Sequence, residues 1–484
     1  MRCRLDAKNW SGSDGKSQPP FDRIPLLAGF LHFDESSLNA VSDDFGHIRH
    51  GKPIAVLEPA SDQDIINMVK FARDHHIKIG ARGQGHTAFG QSQVEDGILI
   101  KMSSLKSSPL IEGNHITVYA GMTWREVLSA TLKHGLTPPV LTHNPGLSVG
   151  GTLSVGGIDS GSYRYGAQVD NVLELVVVTG EGNLETCSLS RNPDLFHATL
   201  AGLGQCAIIL KATLRLIPAP VRGRLFRLFY PGLSSAFVDM RQLASDSRFD
   251  RFVFHVTPSP IGGWLYFIDA VSYFTPQTLP DNNSLLSNLQ FTSKSERTPD
   301  FPFIEIVDRV PALRNLEASG RINLPHPWFD IFLPDSNIDL FLNEIFESLT
   351  PADIGKDFPI SLFPITTMAC TRPLFRLPNE PLAFLFDLQS TVSDSGTTSE
   401  YLDRNRRLFE RARDLGGKLY LIGATPLAGK DWDMHFHPYW DRFVEAKKRF
   451  DPDNVLAPGP GIFTTPYSVD MENSNIDQSI EVKR

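Results

Sequence analysis

Cysteine is scarce in this 484-residue sequence, and long hydrophobic segments are missing. No stretch approaches the ~18 apolar residues that span a bilayer, and the amino terminus lacks the apolar core of a signal peptide. The four cysteines show neither a CxxC pair nor the Cys/His spacing of a metal site: Cys3, Cys187, Cys206 and Cys370. We therefore expect reduced, mostly packed thiols and no metal. The sequence predicts a soluble, cytoplasmic protein without a membrane partner, unless a signal peptide has already been removed.

An excess of basic charge is also missing. Lysine and arginine total 46 against 55 aspartates and glutamates, which gives a formal net charge of −9. This balance argues against sequence-independent binding to nucleic acid or to anionic membranes. With 41% hydrophobic residues, 37 glycines and 35 prolines, the chain is typical of an ordinary globular protein of two or three domains.

The pattern of hydrophobic residues differs between two parts of the chain. Between residues 53 and 220, short apolar strand-like runs alternate with helical ones, and residues 172–188 predict a β-hairpin. From about Val221 the sequence changes to aromatic β-type runs such as LFRLFY, RFVFHV and GWLYFIDAVSYF. A second domain is therefore predicted to begin near residue 221.

The loop ARGQGHTAFGQ, residues 81–91, carries the first chemical signal. Gly83 and Gly85 allow backbone amides to approach a ligand, and successive amides of this kind form a nest that suits a pyrophosphate. The spacing is neither GxGxxG nor a P-loop, so an ordinary tight turn remains the alternative. His86 within this loop is either a solvated residue or a nucleophile and ligand near the phosphates.

Two further segments are rich in glycine, residues 141–166 and 202–220. Seven of the 26 residues in the first segment are glycine, and we expect neither an ordinary helix nor a central strand in the run SVGGTLSVGG. A flexible loop is the alternative to backbone that wraps a planar or phosphorylated ligand. Three such loops in one α/β segment predict separate walls of a single extended cofactor site.

These motifs together resemble the flavin-dependent oxidoreductases of the vanillyl-alcohol-oxidase type, and most closely the cytokinin dehydrogenase family. RGQGHTAFGQ resembles the pattern RGxGHSxxGQ, and LSVGGTLSVGGIDSGSYRYGAQVDNV resembles LTVGGTLSxxGISGxxxxxGxQxxNV. DLFHATLAGLGQCAIILKATLRLIPAP, PHPWFDIFLP and the closing WDRFVEAKKRFDPDNVLAPGPGIF are similar to later family segments. The resemblance spans about residues 22–464.

The resemblance implies an α+β fold with two domains between flexible tails at residues 1–21 and 466–484. A PCMH-type FAD-binding domain would comprise residues 22–222 and 421–465. An inserted α+β substrate domain with an antiparallel sheet would occupy residues 223–420. The implied chemistry is oxidation of a small, largely apolar organic substrate by hydride transfer to flavin N5, with oxygen or a quinone-type molecule as electron acceptor.

The resemblance also assigns site residues. His86 matches the histidine that bonds covalently to the flavin ring, and no cysteine lies between it and Cys187 to make a second bond. The other positions matched to FAD contacts are Ala81, Arg82, Gly83, Gln84, Gly85, Thr87, Gln91, Ser148, Ser154, Ile158, Ile208 and Tyr420.

Several positions depart from the family pattern. His143 stands where the family has an aspartate that takes a proton from the substrate amine, and an imidazole is able to accept a proton near neutral pH. A histidine that only fills the loop is the alternative. Asp159 and Asp170 align with non-catalytic positions, so we prefer His143 as the catalytic base.

Further departures concern the substrate. Val253 replaces a family glutamate, and residues 457–460 read APGP in place of SPGQ. Glu380 lies where a family segment enters the pocket, either as a substrate contact or as a surface carboxylate. The flavin site is thus predicted to be retained and the specificity site to be altered.

Three functions follow as hypotheses. The first is an FAD-dependent oxidoreductase that acts on a cytokinin or on an intermediate of specialised metabolism. The second is a flavoprotein with structural FAD that catalyses a non-redox cyclisation. The third is a ligand-binding protein without flavin.

Overall fold

The computed structural model describes residues 24–463, apart from 309–310, 351–353, 355–357 and 394. Cys3 and the predicted tails at residues 1–21 and 466–484 lie outside the described residues. Helices and strands are numbered along the chain. The first part of the chain contains β1 Phe30–His32, α1 Glu35–Asn39, β2 Ala55–Glu58, α2 Asp62–Asp74, β3 Ile79–Arg82, β4 Ile98–Lys101, β5 Leu110–Glu112, β6 His115–Tyr119, α3 Trp124–Thr131, β7 Leu136–Thr137, α4 Val149–Leu153, α5 Ser162–Tyr165, β8 Val172–Thr179, β9 Leu184–Ser188, α6 Pro193–Thr199, β10 Ala207–Arg215 and β11 Ile217–Pro218.

The later part begins with a long strand at residue 222. It contains β12 Arg222–Tyr230, α7 Leu233–Asp246, β13 Arg251–Pro258, β14 Trp264–Phe274, α8 Asn282–Leu286, β15 Ser293–Lys294, β16 Asp300–Pro302, α9 Phe303–Val307, α10 Pro311–Ala318, β17 Phe329–Pro334, α11 Ile338–Ser348, β18 Ile360–Thr366, β19 Leu382–Leu388, α12 Ser395–Asp414, β20 Lys418–Leu419, α13 Gly429–Phe436 and α14 Trp440–Phe450. Short 3₁₀ turns occupy Met102–Ser104, Leu132–His134, Gln168–Asn171, Arg321–Asn323 and Thr367–Ala369.

The strands form separate sheets. One sheet has the order β1-β2-β4-β3, in which β2, β4 and β3 run parallel, and another has the antiparallel order β5-β6-β10-β8-β9. The largest sheet is antiparallel, with the order β15-β12-β14-β13-β18-β19-β17-β20, and β16 also pairs with β12. The predicted α+β fold with an antiparallel sheet is confirmed.

Local sequence signals explain how the smaller sheets are assembled. Ser61 and Asp64 form a reciprocal capping box that begins α2, and the helix buries Ile65, Met68 and Val69. The predicted hairpin is confirmed, because β8 and β9 pair directly across residues 180–183. Among the described helices, none is long and apolar enough to cross a bilayer.

The expectation for the run SVGGTLSVGG is wrong in one respect. Val149–Leu153 forms a single helical turn, which begins where the Val149 amide donates to the Met122 carbonyl and the Gly150 amide donates to the Ala120 carbonyl, both at 2.8 Å. A Cβ added at Gly150 would lie 2.8 Å from the Ala120 Cβ. Gly150 is therefore needed because its segment lies close against Ala120. A glycine needed for close approach is compatible with a helix.

The largest sheet has two unlike faces, because successive side chains along a strand point to opposite sides. One face buries phenylalanines, including Phe252, Phe254 and Phe384, against Phe237 of α7 and Phe341 of α11. Burial of such large rings supplies the main hydrophobic stabilisation of this part of the chain. The alternate residues of the same strands are left to face the smaller sheets.

The chain returns to the first sheet after the large sheet is complete. Leu456 forms a parallel bridge with Ile79 of β3, where the Ile79 amide donates to the Val455 carbonyl at 2.8 Å. The buried carboxylate of Asp451 fixes this return, because it accepts from the amides of Val455 (2.8 Å) and Leu456 (2.9 Å) and from Lys447 Nζ (2.6 Å). The Asp451 side chain thus connects α14 to residues 455–456, which extend the first sheet.

Replacing Asp451 tests this connection. Asp451→Ala leaves the ammonium of Lys447, whose side chain is 2% exposed, without its anionic partner. We expect the free energy of unfolding to fall by about 3–5 kcal/mol, measured by chemical denaturation. The control Asp453→Ala alters an exposed carboxylate in the same turn and should change stability by less than about 0.5 kcal/mol. Equal losses in both variants would contradict this role of Asp451.

Candidate active site

A cavity of about 880 Å³ lies between the glycine-rich loops and the free face of the largest sheet. This volume is in the upper part of the range of ~300–1,000 Å³ that is usual for small-molecule and cofactor sites. The structure brings nearly all of the predicted site residues to this cavity. Those that line it are Ala81, Gly83, Gln84, Gly85, His86, Thr87, Gln91, His143, Ser148, Ser154, Ile158, Ile208 and Tyr420.

Two predicted site residues do not line the cavity. Arg82 extends behind the first glycine loop, where its Nη1 donates to the Asp43 carbonyl at 2.7 Å and its guanidinium packs against Gly85. Its side chain therefore supports the loop and does not face the cavity. Glu380 accepts hydrogen bonds from the backbone amide (3.0 Å) and the hydroxyl of Ser336. Glu380 thus lies outside the residues that line the cavity, which favours the surface carboxylate over the substrate contact.

The first glycine loop is held from behind by Asp44. Its buried carboxylate accepts from Thr87 Oγ1 at 2.6 Å and from the Gly90 amide at 2.7 Å. The front of the loop is close to the second glycine segment, since a Cβ added at Gly83 would lie 2.0 Å from Ser148 Oγ. Only a residue without a side chain fits there. The two loops together form a narrow cradle of backbone along one wall of the cavity.

His86 lies in an aromatic environment at this wall. Its ring centroid is 4.1 Å from that of Phe45 and 5.9 Å from that of Trp328. Burial, with a smaller effect of the neighbouring His326, lowers the pKa of His86 to about 4. Within the described chain, no residue forms a hydrogen bond with the His86 ring. The imidazole is therefore neutral near pH 7, with a nitrogen lone pair available for reaction.

His143 lies over the large sheet, with its ring edge to face against Phe363 at a centroid distance of 5.4 Å. Burial, together with the positive charge of Arg251 and the nearby His255, lowers the pKa of His143 to about 3. An imidazole with this pKa holds no proton near neutral pH. The His143 side chain is nevertheless accessible from the cavity, and its role as the catalytic base stays a prediction.

The cavity face of the large sheet carries a row of polar side chains at one register. Asp330 of β17 lies opposite Asp387 of β19, which lies opposite Ser361 of β18, which in turn lies opposite His255 of β13. His255 Nδ1 and Ser361 Oγ are 3.1 Å apart. The neighbouring row on the same face is apolar and includes Phe363. The sheet thus places a narrow polar strip beside an apolar one.

Two of the arginines that line the cavity, Arg227 and Arg251, have anionic partners. Arg227 forms two hydrogen bonds with Asp269, at 2.6 and 2.7 Å. Arg251 Nη2 lies 3.5 Å from Asp159 Oδ2, and its Nε donates to Ser160 Oγ at 3.0 Å. Within each pair the aspartate offsets the positive charge of its arginine, at the end of the sheet nearest β12. Within the described chain, no group of three or more His, Cys, Asp or Glu side chains is arranged to hold a metal ion.

Asp330 and Asp387, the carboxyl pair, were missed by the sequence reasoning. Asp330 is 1% exposed and forms a side-chain hydrogen bond with Asp387, while no other described group donates to Oδ2 of Asp330 or Oδ1 of Asp387. Gln389 Nε2 donates to Asp387 Oδ2 at 3.2 Å. Burial raises the pKa of both groups, to about 7 for Asp387, and the charge of Asp387 raises that of Asp330 further. Near neutral pH the pair therefore retains a proton.

Comparison with known proteins agrees with this arrangement. A family model described as "FAD binding domain" matches residues 53–188, and one described as "Cytokinin dehydrogenase 1, FAD and cytokinin binding" matches residues 234–463. An uncharacterised oxidoreductase of the fasciation locus of Rhodococcoides fascians is 35% identical, over 90% of this chain and 99% of its own length. Cytokinin dehydrogenase 9 of Oryza sativa subsp. japonica is 34% identical, over 89% of this chain and 90% of its own length. Cytokinin dehydrogenase 1 of Arabidopsis thaliana is 33% identical, over 90% and 83% respectively.

The carboxyl pair predicts a pH dependence of folding stability. A carboxyl group whose pKa is raised in the folded state stabilises the protein fully at pH values below its ordinary pKa of 3.8. This contribution is lost as the pH rises from there through about 7. The wild-type protein should therefore lose roughly 3 kcal/mol through this group between about pH 5 and pH 8. In Asp387→Asn this loss should be much smaller, as measured by denaturation across that range. An unchanged pH profile in the variant would contradict the shared proton.

Proposed function

This chain belongs to the cytokinin dehydrogenase family of FAD-dependent oxidoreductases, and we propose that it binds FAD covalently through His86 and oxidises a small, largely apolar substrate. The observation that supports this most is the convergence of three separate glycine-rich segments on one cavity that contains His86. Family membership also removes support for the cyclisation alternative, because the matched relatives are named as dehydrogenases or oxidoreductases.

The residues of the cavity fit FAD in two respects. The backbone of Gly83, Gln84 and Gly85 would hold the pyrophosphate, since amides in such a turn bind anions. Ser148 and the helical turn that follows it approach this loop so closely that a Cβ at Gly83 would be excluded. The cradle is thus built for a ligand that contacts backbone. FAD, when bound, accepts two electrons from the substrate as a hydride.

His86 would form the covalent link. A neutral imidazole is the form that reacts as a nucleophile, and the low pKa of His86 keeps it neutral at all physiological pH values. Phe45 and Trp328 hold the ring on two sides, which limits its orientations. A covalent link would prevent loss of the cofactor when the cavity opens to admit substrate.

The rest of the cavity would select the substrate. The face of the large sheet contributes Leu225, Val253, Val271, Phe363 and Leu385, which are apolar. Such a surface favours an apolar substrate and excludes water from the reacting atoms. Oxygen or a quinone-type molecule would then take the electrons. An adenine with an isopentenyl side chain is the first candidate, because several relatives are named cytokinin dehydrogenases.

A reductive titration tests the proposed oxidation. The purified protein should be yellow, and anaerobic addition of a substrate should bleach the oxidised flavin absorbance. The panel would begin with N6-isopentenyladenine and continue with apolar amines and alcohols of similar size. Admission of oxygen or a quinone should restore the colour. A correctly folded protein that is colourless and takes up no added FAD would contradict the proposal.

Replacement of His86 tests the covalent link. We expect wild-type flavin to stay with the protein after acid precipitation, and all flavin of His86→Ala to appear in the supernatant. His50→Ala is the matched control, because His50 is an exposed histidine that does not line the cavity, and it should behave as wild type. Acid-stable flavin in His86→Ala would show that another residue forms the bond.

A further inference from the structure

Arg251 presents hydrogen-bond donors to the cavity that the fold does not use. It lies on β13 two residues before Val253, and therefore on the same face of the large sheet. Nε donates to Ser160 Oγ at 3.0 Å and Nη1 donates to the hydroxyl of Tyr273 at 3.4 Å, whereas Nη2 has no hydrogen bond with any described residue. Because each Nη atom carries two hydrogens, Nη1 retains one for a ligand and Nη2 retains both.

The anionic partner of Arg251 lies behind it and not in the cavity. Asp159 is 3% exposed and does not line the cavity, and its Oδ2 is 3.5 Å from Arg251 Nη2. Its two oxygens accept from the backbone amides of Gly161 at 2.7 Å and Leu141 at 3.1 Å. The carboxylate is thus held by backbone at the rear, while the guanidinium faces the cavity. The two side chains together present the positive end of a dipole to a ligand.

Burial makes these unused donors significant. The Arg251 side chain is only 11% exposed, although it lines the cavity. Polar groups that are removed from bulk solvent are normally hydrogen-bonded, because an unpaired buried donor costs free energy. A ligand in the cavity that supplies acceptor oxygens would satisfy this requirement. The contact with Ser160 fixes the plane of the guanidinium, so the direction of the remaining donors is set before a ligand binds.

The neighbours of Arg251 on the cavity side do not compete for this position. His143 and His255 are neutral near pH 7, because burial is the largest influence that lowers their pKa values, to about 3 and about 4. Asp269 is already bonded through both oxygens to Arg227. Arg251 is therefore the charged group with unused donors at this end of the described cavity.

We propose that Arg251 binds a carboxylate of the substrate, so that the substrate is a small organic acid with an apolar body. A carboxylate is planar and accepts two parallel hydrogen bonds from the fork of a guanidinium. Val253 and Phe363, on the same sheet face, would contact the apolar body. This inference rests on the proposed function and specifies its substrate class. The names of the relatives suggest an adenine, whereas the cavity itself suggests an acid.

Pairs of probes that differ in charge test the inference. Phenylacetate, 3-phenylpropionate and cinnamate are anionic at pH 7, and the amide of each has nearly the same size but is neutral. Calorimetry with the purified flavoprotein, kept anaerobic, should show that at least one acid binds roughly tenfold or more tightly than its amide. Equal affinities within every pair would mean that water alone satisfies Arg251 and would overturn the inference. Binding of none of the three acids would overturn it as well.

Substitutions assign the preference to Arg251. Arg251→Gln should bind acid and amide about equally, whereas Arg251→Lys should keep part of the preference, since an ammonium retains the charge but not the fork. The double variant Arg251→Gln/Asp159→Asn guards against misfolding, because it leaves no buried carboxylate without its cation. Arg215→Gln is the matched control, since Arg215 is exposed and does not line the cavity, and it should behave as wild type. A preference that survives in Arg251→Gln or in the double variant, with flavin and melting profile retained, would contradict the assignment.

The two proposals fail in different ways. If substrates bleach the flavin but the protein does not discriminate the acids from their amides, the proposed oxidation stands and the role of Arg251 is wrong. If the protein lacks flavin but prefers the acids, and loses this preference in Arg251→Gln, the proposed function fails and the carboxylate site stands. Calorimetry makes this separation possible because it requires no electron transfer.

Discussion

The strict alternation of side chains along the strands of the largest sheet is the constraint on which the rest of the structure depends. In β13, Phe252 and Phe254 enter the hydrophobic core, whereas Val253 and His255 face the cavity. A shift of one residue in strand pairing would exchange these faces and destroy core and cavity together. The phenylalanine packing that holds the sheet therefore also fixes the position of each side chain that faces the cofactor and substrate.

The charges of the cavity are distributed unevenly over this sheet face. The end near β12 and β13 contains Arg227 and Arg251, each beside an aspartate that offsets its charge. The end near β17 and β19 contains the carboxyl pair without such a balance among the described residues. An electrostatic gradient thus runs across the floor of the cavity.

Much of the site could be predicted from the sequence, because glycine spacing reports directly on backbone that approaches a ligand. Arg82 and Glu380 were placed less well, since the direction of one side chain and the hydrogen bond of the other to Ser336 depend on residues distant in sequence. The carboxyl pair was missed because strand register is invisible in one sequence, although a lone aspartate within each of the apolar runs FDIFLP and FLFDLQ was an available signal. The lowered pKa of His143 likewise depends on burial and then on the charge of Arg251, which lies on β13 and is distant in sequence.

The bridge between Ile79 and Leu456 has a consequence for the order of events during synthesis of the chain. An edge of the first sheet is completed by residues that leave the ribosome only after the whole antiparallel sheet has been translated. Contacts of such large sequence separation form late and slowly. Early in translation the nascent amino-terminal part therefore exposes an open sheet edge, which is prone to pair with other chains until the carboxyl-terminal segment arrives.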